Sequence, residues 1–136
     1  MPALGRKIDL LWEEPFRIFF PAGLFIGLAG VALWPFFFLG LIETYPSISH
    51  ARLMVQGFLT CFIFGFLGTA GPRVMSVRHF SRSEILRLLI LLLASCILHL
   101  RAFHALADGL FALTLIAFAI SLGRRFRARH RTLAHD

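Results

Sequence analysis

The chain has 136 residues, of which 58% are apolar and 15% charged, with a mean hydropathy of +0.79. An ordinary soluble domain is about half apolar and about a quarter charged, so this composition excludes one and points to a membrane protein. The length leaves room for one compact bundle, and the net charge of +7 flanks apolar stretches instead of forming a patch for nucleic acid.

In chain order, residues 1–17 read as an interfacial lead, with Ile8, Leu10, Leu11 and Trp12 on the membrane surface and Asp9, Glu13 and Glu14 in water. The first predicted span covers about 18–42. It is longer than the roughly 20 residues needed to cross, so it is expected to tilt or bend, at Pro21 or Pro35. Trp34 and Phe36–Phe38 sit near its outer end, where aromatic rings suit the headgroup boundary. No small-x-small cleavage site follows the run before Pro35, so no cleavable leader is expected. Residues 43–52 form an outer loop broken by Pro46, in which Glu43 and Arg52 are expected to make a weak exposed ion pair.

The second predicted span covers about 53–71 and ends at Gly71-Pro72. Gly57, Cys61 and Gly65 recur every four residues, with Gly68 one turn further, and such a stripe lets another helix approach closely. A basic linker follows, and Ser83 before Glu84 is expected to cap the third span, about 85–100. That span would be short, about 24 Å at 1.5 Å per residue, and Arg87 can snorkel to relieve the mismatch. A tight turn leads to the fourth span, about 105–122, and to a basic tail over 124–136.

Twelve of the fourteen Lys and Arg residues then fall on one side: Arg6, Lys7 and Arg17; Arg73, Arg78, Arg82 and Arg87; Arg124, Arg125, Arg127, Arg129 and Arg131. Only Arg52 and Arg101 fall on the other. Cationic segments resist translocation, so the expected fold is an all-α bundle of four transmembrane helices with both termini in the cytoplasm. Cys61 and Cys96 lie inside spans and read as packing residues rather than a disulfide.

The outer side concentrates the polar residues without a topological role, while His79, His130 and His135 fall on the cytoplasmic side. His50, Met54 and Cys61 share one helical face, and imidazole, thioether and thiolate suit copper. The axial offset leaves His50 with Met54 as the feasible metal pair, against the plainer reading of a surface histidine above a packing methionine. His99, His104 and Asp108 form a second group, in which Asp108 would hold the His104 ring four residues away in one tautomer. Two of the three histidines on facing helices would suffice for haem, and a hydrated turn is the alternative. No phosphate-cradling Gly loop and no nucleophile beside a base is found, so no enzyme is expected.

Four stretches, Glu14-Pro15-Phe16-Arg17-Ile18-Phe19-Phe20, His50-Ala51-x-x-Met54-x-x-Gly57-Phe58, Gly65-Phe66-Leu67-Gly68-Thr69-Ala70-Gly71-Pro72 and Asp108-Gly109-Leu110-Phe111, together resemble the N-terminal part of the NnrS family. That resemblance implies a polytopic bacterial inner-membrane protein, containing haem and copper and linked to the response to nitric oxide. Arg52 stands where the family pattern has a second histidine, and the chain has about a third of the family's usual spans. By this resemblance His50 would be the lead ligand, with His99 or His104 opposite and Asp108 in support. The rival expectation is a non-catalytic module in the lipid bilayer, packing as a homo-oligomer or into a larger membrane complex through the Gly57/Cys61/Gly65 stripe.

Overall fold

The computed structural model describes residues 2–133 and is helical throughout, with no strand among the described residues. His135 and the end of the basic tail lie outside them. The elements are α1 (Pro2–Glu13), α2 (Phe16–Phe38), α3 (Ser47–Arg52), a π-helical segment (Leu53–Leu59), α4 (Thr60–Val74), α5 (Arg82–Leu100) and α6 (His104–Leu133). Because α3, the π segment and α4 run on without a break, four helices are long and apolar enough to cross a membrane.

Several boundaries differ from the sequence expectation. The second membrane helix starts at Ser47, six residues early, so His50 and Arg52 sit on helix and not in a loop. Pro72 does not end it: the ring is buried two residues before the end of α4 at Val74, and Met75 N donates to the Gly71 carbonyl at 3.1 Å beyond it. The chain turns instead at Ser76, whose φ is 52°, with Val77 N donating to the Pro72 carbonyl at 3.0 Å. Ser81, not Ser83, caps α5: Glu84 N donates to Ser81 Oγ at 3.3 Å and Ser81 N donates to Glu84 Oε2 at 2.8 Å. The reason is spacing, since the second member of a capping box lies three residues after the first. The cap moves the start of α5 to Arg82, and nineteen residues span about 29 Å, which removes most of the expected shortfall. The basic tail continues α6 as helix to Leu133.

Packing within the bundle depends on small residues and ring stacking, because lipid offers apolar side chains no penalty to escape. The Gly57/Cys61/Gly65/Gly68 stripe is indeed a seam, but α2 and the residues before it fill it. An added Cβ at Gly57 would lie 2.4 Å from Ile26 Cγ2, at Gly65 2.7 Å from the Phe20 ring, and at Gly68 3.1 Å from Pro15. The Cys61 side chain lies against Gly23. The stripe is therefore not free for a partner protein. On the other flank, Phe64 stacks on Phe118 with centroids 4.2 Å apart, and Phe80 stacks on Phe118 at 5.7 Å. Both cysteines are free and buried.

The basic segments meet at one end of the bundle. Glu14, expected in water, is buried and pairs with Arg73 and with Arg17, the latter at 3.2 Å. The Arg82 guanidinium lies 4.8 Å from the Trp12 ring centre, and Arg125 pairs with Glu84 at 2.6 Å. The reason Glu14 is not exposed is the break at Pro15, which turns α1 under the bundle and carries the carboxylate to Arg73.

Candidate functional site

At the opposite end, Gln56, His99, His104, Asp108 and Arg52 form one connected polar network. Gln56 lies in the π segment and is 6% exposed, and His99 is fully buried at 0%. A π turn widens the helix by one residue and re-aims the side chains beyond it; such segments recur at functional sites. Just beyond it, the Thr60 hydroxyl donates to the Val55 carbonyl at 3.0 Å.

The direction of each bond follows from what each atom can do. Gln56 Nε2 is 2.7 Å from Asp108 Oδ1, and a carboxylate oxygen only accepts. Gln56 Oε1 is thus the acceptor facing His99 Nε2 at 2.7 Å, so that nitrogen carries the proton. In the neutral ring His99 Nδ1 then has a lone pair, and it accepts from His104 Nδ1–H at 3.1 Å. Arg52 Nη2 closes the other end, 3.0 Å from Asp108 Oδ2. Ser49 adds a tie from α3 to the end of α5 by donating to the His99 carbonyl at 3.0 Å. Every donor in the chain of bonds meets an acceptor, which is what buried polar groups require at membrane depth.

His50 is elsewhere. Its Nδ1 is 2.9 Å from the Gly30 carbonyl, so it donates there, and its ring meets Trp34 edge-on at 5.9 Å. Trp34 also packs with Tyr45 at 5.5 Å. Two consecutive residues of α3 thus face different neighbours: Ser49 faces α5 and His50 faces α2. Met54 also faces α2, with its sulfur 3.3 Å from where a Gly30 Cβ would be. The structure brings His99, His104 and Asp108 together and keeps His50 and Met54 apart from them, on the α2 side.

Two expectations about partners are corrected. Arg52 pairs with Asp108 and not with Glu43, because α3 begins early enough to put Arg52 on the helical face toward α6. Asp108 does not hold the His104 ring. It reaches inward to Gln56 and Arg52, with His99 Nε2 3.7 Å away, and His104 leans on His99 instead. Gln56 was missed by sequence reading. Its signal was a lone amide in the middle of an apolar span, but only the π turn shows that it faces inward.

Both His50 and His104 donate from Nδ1, which leaves each Nε2 with a lone pair and no partner among the described residues. A ligand imidazole is held in this manner, by a hydrogen bond on its other nitrogen. Both nitrogens of His99 are engaged, so it cannot ligate without breaking the network. Among the described residues no three His, Cys, Asp or Glu side chains are grouped to hold a metal ion.

A protein-family model described as NnrS protein matches residues 10–134. No curated protein and no solved structure matches the chain.

Proposed function

Because the chain belongs to the NnrS family, we propose that this multi-pass membrane protein binds haem through His50 at the outer end of the bundle and serves in the response to nitric oxide. The observation that carries the proposal is the His50 ring, anchored by Nδ1 to the Gly30 carbonyl at 2.9 Å with Nε2 left bare. Haem fits this donor set better than a mononuclear copper ion does. One fixed imidazole suffices as an axial ligand, whereas copper needs several converging soft donors, and Met54 packs where His50 has already spent its Nδ1. Bound there, haem iron would supply an open coordination position for a diatomic gas.

The chain's own residues would then divide the work. Gly30 orients His50, Trp34 covers one edge of its ring, and the Gln56 network keeps α3, α5 and α6 in register beside it. In this reading the protein binds and does not turn over a substrate, and its basic end faces the cytoplasm of a bacterial inner membrane. The cation asymmetry supports that orientation.

The test is the visible spectrum of detergent-purified protein from haem-supplemented cells. The expected result is a Soret band that is lost in His50→Ala and kept in His99→Phe. No Soret band in the parent, or one that survives His50→Ala, overturns the proposal.

A further inference from the structure

The basic end carries a feature that haem binding does not use. The loop before α5, the first turns of α5 and the far end of α6 enclose a cleft of about 410 Å³ whose lining includes Arg78, Ser81, Glu84, Arg87, Arg124 and Arg125. Its one acid is fully engaged. Glu84 accepts from Arg125 at 2.6 and 3.2 Å and from Ser81 N at 2.8 Å. Arg125 in turn is held by the carbonyls of Arg78, His79 and Ser121 and lies over the Phe80 ring at 4.1 Å. That pair is a fixed, neutral floor.

Three cations remain around it. Arg78, Arg87 and Arg124 are exposed and have no carboxylate partner among the described residues; Arg87 only turns its Nε to the Ser83 carbonyl at 3.2 Å. Planar guanidinium groups grip phosphate oxygens in pairs, and basic pockets between helix ends receive phospholipid headgroups.

A second observation tells which phosphate. Arg124 also lines, with Arg127, the basic end of a groove of about 540 Å³ that runs up α6 along Ile116, Ala119, Ile120 and Gly123. A Cβ added at Gly123 would meet nothing within 4 Å, so the groove is open along its floor. A cationic cleft joined through one arginine to an apolar groove matches a molecule with a phosphate at one end and an acyl chain at the other. We infer that this cleft and groove together bind one anionic phospholipid, with its phosphate between Arg78, Arg87 and Arg124 and a chain along α6.

Native mass spectrometry of the whole protein, with phosphatidylglycerol and phosphatidylcholine of equal chain length, tests this. The parent is expected to retain one phosphatidylglycerol per chain in preference to phosphatidylcholine. Arg78→Gln with Arg124→Gln should lower that retention at least tenfold, while Arg129→Gln with Arg131→Gln, equal in charge removed, should leave it. Equal retention by the cleft variant, or equal loss in the tail variant, overturns the site. Complete displacement of the lipid by millimolar inorganic phosphate would make free phosphate the ligand and overturn the lipid assignment. If the cleft variant does not fold, Ile120→Trp fills the groove without changing charge; it should also lower retention, and parent-like retention would sink the proposal.

Discussion

Arg52 Nη2 lies 3.0 Å from Asp108 Oδ2, joining the second membrane helix to the start of the fourth. The resemblance noted from the sequence leads one to expect a second histidine at this position, and the pair shows what the arginine does there. Both side chains are partly exposed, at 41% and 35%, so the pair stabilises by about 1 kcal/mol or less. Arg52→His is expected to put back the second histidine without creating a ligand, because position 52 faces Asp108 while His50 faces Gly30. The haem and copper content of Arg52→His should match the parent's; a new copper stoichiometry would refute this geometry.

Gln56 is the hub of the network. Gln56→Leu removes the acceptor for His99 Nε2–H and the donor to Asp108 Oδ1 in one step. Leaving buried polar groups unpaired costs about 1–3 kcal/mol, so the thermal midpoint in detergent should fall clearly. An unchanged midpoint would mean that water replaces the amide.

The glycine seam makes a different kind of prediction. Gly57→Leu and Gly65→Leu should destabilise the chain itself, by about 1–3 kcal/mol or more, because the added atoms run into Ile26 and Phe20. Size-exclusion with light scattering should show no change in oligomeric state for whatever remains folded. Dissociation of a defined oligomer by these substitutions would instead place the seam at an interface.

Two serines near the start of α5 separate cleanly. Ser81→Ala should cost about 1 kcal/mol by removing the cap on Glu84 N. Ser83→Ala should change stability by a few tenths at most, since among the described residues the exposed Ser83 hydroxyl hydrogen-bonds only to that of Ser81. Equal losses from both would contradict the capping box.

The hairpin turn holds a removable strain. Ala102 has φ of 62°, with Phe103 N donating to the Leu98 carbonyl at 2.9 Å. A side chain in the left-handed region costs about 1–2 kcal/mol, partly offset by the unfolded-state freedom of glycine. Ala102→Gly is expected to raise the thermal midpoint, and a lower one would show that the turn does not carry this strain.

What the sequence determined by itself is the class of molecule and the crowding of its cations toward one end of the bundle. Runs of apolar residues long enough to cross a bilayer can hardly be anything but helices, because each backbone group must be satisfied within its own segment. Most of the cations that separate those runs collect at one end in the structure, as Glu14 with Arg73 and Glu84 with Arg125 show. His99, His104 and Asp108 could be grouped from the sequence, since a short turn forces α5 and α6 together.

Tertiary structure decided which atoms meet. Helical spacing put His50 level with the other histidines, but it could not tell that α3 turns Ser49 to α5 and His50 to α2. It could not show Gln56 as the hub, because a π turn leaves no mark in an apolar pattern and shifts the facing of everything around it. Nor could it show Arg78 and Arg124, far apart in the chain, around one cleft. Periodicity is a property of one helix; a site is a property of the faces that several helices turn toward one another.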